Sequence, residues 1–103
     1  MTMITYIDPE ARYSDATIHN GIIYLGGQVP EDPEADAATQ TRSVLTQIDA
    51  LLSRLNSDKA HILEAAIYLA DFADYDAMNQ VWDAWTAPAY RRLLPIRAGK
   101  WKL

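Results

Sequence analysis

A chain of 103 residues, half of them hydrophobic and 22% charged, with three tryptophans and six tyrosines, has the composition of one folded globular domain rather than a disordered segment. No apolar run approaches the roughly 20 residues that span a bilayer, and the N-terminus lacks the charged-then-apolar layout of a signal peptide. With no cysteine to form disulfides, thiolate metal sites or a nucleophile, a cytoplasmic location is expected. The formal net charge of −5 divides into −10 over residues 1–90 and +5 over residues 91–103, and so acidic a body argues against a nucleic-acid partner held through its phosphates.

In chain order, a first edge strand is predicted around Ile4 to Ile7. Thr17 to Leu25 reads as a hairpin, because Asn20-Gly21 is a strong two-residue turn signal and both flanks favour strand. Pro30 to Ala35 forms an acidic loop that closes on Asp36 as N-cap, and a helix then runs to about Leu55. Within it Ala37, Thr41, Val44, Ile48, Leu51, Leu52 and Leu55 recur at helical spacing as the packing face, while Gln40, Arg42, Gln47, Asp49 and Arg54 form the wet one. Asn56-Ser57-Asp58 ends the helix, and Ile62 to Ala70 is an apolar run of strand length. A second helix starts near Asp74, with Asp71 and Asp74 as caps of the turn into it, packs through Met78, Val81, Trp82 and Trp85, and stops at Pro88.

A right-handed crossover through the first helix places strand 62–70 in one sheet with the hairpin, with both helices on one face, in an α+β architecture. The other sheet face, carrying residues such as Ile22, Tyr24, Ala66 and Tyr68 or their alternates, has nothing left in the chain to cover it. A domain of this size buries only about two-thirds of its unfolded surface, so association through that face is the expected remedy.

The strong chemical motifs are missing: there is no nucleotide-binding glycine fingerprint, no P-loop, no nucleophile elbow and no paired histidine spacing for zinc. No metal or cofactor is therefore expected. His19 beside the hairpin turn and His61 read as ordinary solvated rings, and Glu64 as either a cleft acid or a wet-edge carboxylate. The Trp82, Trp85 and Tyr90 cluster reads as helix core rather than a base-stacking platform.

Two segments remain. Tyr24-Leu25-Gly26-Gly27-Gln28-Val29-Pro30, a strand that stops at a glycine pair and turns through proline, needs closely approached backbone rather than a side chain. It follows Arg12-Tyr13-Ser14-Asp15 by ten residues. On those residues alone, Tyr13 is a half-buried aromatic beside the first strand or a cleft residue, and Gly26-Gly27 is a bulge or a ligand contact. Together with Asp71-Phe72-Ala73-Asp74-Tyr75-Asp76-Ala77-Met78-Asn79, these segments resemble the RidA/YjgF family of enamine and imine deaminases over about residues 8 to 85.

The resemblance implies a chorismate-mutase-like α+β domain over residues 1–103, a mixed sheet backed by two helices, and a trimeric barrel with one site in each cleft between subunits. It also implies that Tyr13 lines that cleft and that Gly27, beside Gly26, lends its backbone to a bound carboxylate or keto group. The expected activity is hydrolysis of 2-enamino and 2-imino acids, such as 2-aminoacrylate and 2-iminobutanoate, to 2-keto acids and ammonia, without a cofactor. The expected partners are a small carboxylate and two further copies of the chain, with no membrane. A ribonuclease role attached to some relatives is disfavoured by the acidic body and the absence of an evident general acid/base pair.

The family pattern then requires Pro-Ala/Val-Arg opening a strand and a later glutamate that orients water. Here the chain reads Pro88-Ala89-Tyr90-Arg91-Arg92-Leu93-Leu94-Pro95, so the arginine is displaced by one, a proline interrupts the strand pattern and no glutamate follows. This atypical stretch, about residues 86–103, reads as a divergence, a truncation or a shifted frame. Arg91 is the first candidate for the guanidinium that grips the substrate carboxylate with two parallel hydrogen bonds, and Arg92 the second, since neighbours on a strand point to opposite faces. With neither in place, the alternative is a trimeric ligand-binding protein of the same fold that has lost its catalytic arginine and glutamate.

Overall fold

The structure is a computed structural model and describes residues 3–87 together with the backbone of residues 96–100. The N-terminal third is an antiparallel meander of β1 (Thr5–Pro9), β2 (Ser14–His19) and β3 (Ile22–Leu25). Asn20 and Gly21 both adopt positive φ, 52° and 75°, which lets a two-residue turn match the strand twist. The register sets Tyr6 opposite Thr17 and Thr17 opposite Tyr24 on the outer face, and Ile7 opposite Ala16 and Ala16 opposite Leu25 on the inner one.

Helix α1 (Ala37–Arg54) is started by the Asp36 side chain, which accepts the Thr39 N–H at 2.7 Å. Of the predicted packing face, Leu51 and Leu52 are buried, Ile48 packs against the core and Val44 is half-buried; Leu45, left out of that face, is buried as well. A 3-10 turn (Lys59–His61) capped by Asp58 precedes the predicted 62–70 strand, of which β4 covers Ala65–Leu69. A second 3-10 turn (Phe72–Asp74) leads into α2 (Tyr75–Thr86). Asp71 caps it by accepting the Ala73 N–H, but Asp74, expected to share that work, makes no capping bond with its side chain.

The core joins the two helices to one face of β4. Leu45, Met78 and Trp82 form its buried centre, and Ile48, Val81, Trp85, Ala65, Ile67 and Leu69 pack around it. Alternation then turns Ala66 and Tyr68 outward, with Tyr68 63% exposed. The architecture is thus mixed α+β with two helices packed over sheet, as expected. One strand pairing differs. Among the described residues β4 does not pair with the meander; it pairs in parallel with β5 (Ile96–Lys100), so the described strands fall into sheets of three and two. The crossover argument fixed the side on which β4 lies relative to the helices but not its hydrogen-bonding neighbour. β5 begins at the residue after Pro95 in the sequence, so a strand forms where the proline had argued against one.

Candidate functional site

The glycine pair lies where β3 leaves the sheet. The Gly26 N–H donates to the Asp15 carbonyl at 2.8 Å, extending the β2–β3 ladder by one step. A Cβ on Gly26 would stand 3.0 Å from the Ser14 carbonyl oxygen and 3.3 Å from that of Asp15, so the close approach foreseen from the sequence is made by the chain's own backbone. Gly27 is the opposite case. A Cβ there would meet nothing within 4 Å, and the residue faces open space.

Around this turn a cleft of about 260 Å³ is lined by Tyr13, Ser14, Asp15, Gly26, Gly27 and Gln28. The structure therefore brings together Tyr13, Gly26 and Gly27, three of the five residues singled out in the sequence. Tyr13 is 66% exposed, which excludes the reading of a half-buried packing aromatic. Arg91 and Arg92 lie outside the described residues.

Ser14, Asp15 and Gln28 were not singled out, although all three stand within the quoted motifs. Gln28 is the most informative of them, since its Nε2 donates to the Gly26 carbonyl at 3.0 Å. The segment beyond it is anchored on α1: Gln47 Nε2 donates to the Val29 carbonyl at 2.9 Å, and the Glu31 N–H donates to Ser43 Oγ at 3.1 Å. The loop is thus held by side chains of a rigid element at two points just past the cleft.

Electrostatically the cleft is incomplete for an anion. Asp15 is the one charged residue among its described lining residues, and a carboxylate repels another carboxylate. Nearby, Arg54 at the end of α1 pairs with Asp8, whose carboxyl is held below its ordinary range chiefly by that hydrogen bond. Asp8 adopts a positive φ of 48°, and this ion pair ties the end of β1 to the helix.

The remaining candidates lie outside the cleft lining. His61 is exposed and bonds through Nδ1 to Asp58, 2.9 Å away, which lowers the Asp58 carboxyl. Glu64 is exposed and precedes β4, matching the wet-edge alternative. Trp82 is buried in the core as expected, and Trp85 donates from Nε1 to Asp49 at 2.8 Å with the Lys59 ammonium 5.0 Å from its ring centre. Among the described residues no cluster of three or more histidine, aspartate or glutamate side chains is placed to hold a metal ion, and no helix is long and apolar enough to cross a membrane.

Comparison with known proteins identifies the family. The family model described as endoribonuclease L-PSP matches residues 3–98. A RutC family protein of Haemophilus ducreyi is 52% identical over 86 residues, covering 84% of this chain and 74% of that protein. RutC family protein YoaB of Escherichia coli K12 is 51% identical over 94 residues, covering 91% and 79% respectively. The 3-aminoacrylate deaminase RutC of Acinetobacter baylyi is 39% identical over 80 residues, 72% of this chain and 64% of that protein. Among solved structures, a YjgF family member from Neisseria meningitidis superposes with a TM-score of 0.88 at 48% identity, over 98% of this chain and 82% of that one. The chain belongs to the endoribonuclease L-PSP family, that of the RutC and YjgF proteins.

Proposed function

We propose that the chain is a RidA-like deaminase, hydrolysing short 2-imino and 2-enamino acids to 2-keto acids and ammonia. The observation that carries this reading is the convergence of Tyr13, Gly26 and Gly27 on one cleft, with open space where a Gly27 side chain would begin. The name of the Acinetobacter baylyi relative, a 3-aminoacrylate deaminase, supports the same chemistry.

The reaction needs little from the protein beyond placement. An enamine such as 2-aminoacrylate takes a proton at C3 and loses one from nitrogen, becoming the imine. Water then adds to C2, the carbinolamine nitrogen is protonated, and the C–N bond breaks to release ammonia and the keto acid. Holding a substrate that already hydrolyses in water at a fixed angle to that water supplies much of the acceleration. The Gly27 N–H donates to the substrate carboxylate or keto oxygen, and Tyr13 closes one side of the cleft. Because Asp15 gives the described lining a negative charge, the carboxylate needs a cation from elsewhere in the sequence, and Arg91, or failing it Arg92, supplies that clamp.

The assembly is a cytoplasmic homotrimer with its clefts between subunits. A second reading, a trimeric ligand-binding protein without turnover, is favoured by one observation: in Pro88-Ala89-Tyr90-Arg91 the arginine is displaced by one residue from the family's Pro-Ala/Val-Arg pattern. Decay of enzymatically generated 2-iminobutanoate separates the two. The expected result is acceleration by the parent that is lost in Arg91→Ala or in Arg92→Ala; no acceleration by the parent, with 2-oxobutanoate still bound, establishes the ligand-binding reading instead.

A further inference from the structure

We infer that Gln28 is a positioning residue that fixes the direction of the Gly27 N–H by holding the carbonyl of Gly26. The inference rests on the site proposed above and concerns how that site is kept in its binding geometry.

The Gly26 carbonyl and the Gly27 N–H belong to a single peptide unit. In a planar trans peptide these two groups point in opposite directions, so fixing one fixes the other. This unit has glycine on both sides, and glycine accepts positive φ about as readily as negative, so a flip that would turn the N–H away from the cleft meets little steric resistance. Neither Gly26 nor Gly27 has positive φ here, so the peptide occupies one of the two orientations open to it. The Gln28 Nε2 to Gly26 oxygen bond, 3.0 Å long and half-buried, acts directly on that choice. It would break on flipping. The Gly27 N–H makes no hydrogen bond among the described residues, so nothing else there holds it.

The surroundings are built to make the Gln28 bond effective. On one side Gly26 is fixed to the Asp15 carbonyl at 2.8 Å. On the other, the Val29 carbonyl and the Glu31 N–H are held by Gln47 and Ser43 of α1. Between these points the Gly27 and Gln28 backbone makes no hydrogen bond among the described residues, and the Gly26–Gly27 peptide is held by the Gln28 side chain.

The test uses the whole chain, uniformly ¹⁵N-labelled, titrated with 2-oxobutanoate while the Gly27 amide is followed by NMR. Gln28→Met keeps the side chain's length but cannot donate, and Gln28→Glu keeps its shape but presents an acceptor to the Gly26 oxygen at pH 7.5. Far-UV circular dichroism verifies that both fold. In the parent, 2-oxobutanoate is expected to displace the Gly27 amide resonance and, with it, the Gln28 side-chain amide pair. In both variants the ligand-free Gly27 resonance should move while that of Gly21 stays, and affinity should fall about three- to ten-fold, the loss expected for one hydrogen bond. Variants that bind as the parent does, with an unchanged Gly27 response, overturn the positioning role and leave the site intact. A parent whose Gln28 side-chain resonances stay fixed while Gly27 shifts overturns it equally, without any variant. A parent in which 2-oxobutanoate leaves Gly27 unmoved overturns the site itself.

Discussion

At the residue scale, the two adjacent glycines carry different constraints, although nothing in their sequence distinguishes them. Gly26 is required by the fold: a methyl group there would press on the backbone of Ser14 and Asp15, which the ladder does not let move. Gly26→Ala should therefore destabilise the protein by about 1–3 kcal/mol, the usual cost of overpacking against fixed backbone. Gly27→Ala, at a position with open space and no positive φ, should stay within about 0.5 kcal/mol of the parent or gain slightly through a less flexible unfolded chain. Urea unfolding of the two variants checks both values, and equal losses would show that the glycine pair acts as one structural unit. Tyr13, Gly26 and Gly27 were legible through the resemblance their motifs carry, since on its own an aromatic near a strand start fits packing and a glycine pair at a turn fits a bulge. Gln28 was not, since a carboxamide in a loop looks like any polar loop residue until its partner is known.

At the element scale, helix starts and the core can each be tested. The Asp36 carboxyl is held below its ordinary range, first by the Thr39 backbone N–H, and those of Asp8 and Asp58 by Arg54 and His61. A carboxyl whose folded value lies below its unfolded one contributes stability above the unfolded value, about pH 4, and loses it as pH falls through the folded one. The urea midpoint should accordingly fall below about pH 4. Asp36→Asn keeps the capping oxygen without the charge, so it should shallow that decline while leaving the helix start in place. Unchanged acid sensitivity would show that Asp36 does not contribute to it. The core makes a second prediction. Met78, 1% exposed, and Trp82, 4% exposed, join both helices to β4, and replacing either by alanine should cost about 2–5 kcal/mol, enough to unfold a marginal domain. Loss of near-UV circular dichroism reports it. Periodicity made these residues legible because a helix repeats its buried face every turn. The hairpin pairing was legible from Asn20-Gly21, but the partner of β4 was not: β4 carries an apolar pattern that any neighbour satisfies, and hydrogen-bond partners are chosen by backbone edges that all residues share.

At the scale of the whole molecule, the outer face of the meander decides how the chain exists in solution. Tyr6 and Tyr24 flank Thr17 in one cross-strand row and are 58% and 54% exposed, with Ile4 at 48% and Ile22 at 39% beside them. β4 turns Tyr68 outward as well. Tyrosine is enriched where an apolar surface meets a partner, since its ring packs while its hydroxyl keeps a hydrogen bond. A face this aromatic, opposite the helix layer, calls for burial against other copies. Light scattering at micromolar concentration should give a mass three times that of the 11.6 kDa chain, and Tyr24→Glu, which places a charge in the cross-strand row, should reduce it to one. A monomeric parent would overturn the proposed trimer. The same measurement bears on the site. Tyr13 is exposed and the described lining of its cleft offers an acid but no cation, so the cleft of one copy is open on the side where a neighbour would stand. If subunit contact completes it, Tyr24→Glu should lose 2-oxobutanoate binding together with its assembly, although Tyr24 is not among the cleft's lining residues. A monomeric variant that still binds at parental affinity would show that each copy carries a whole site and that assembly serves stability alone.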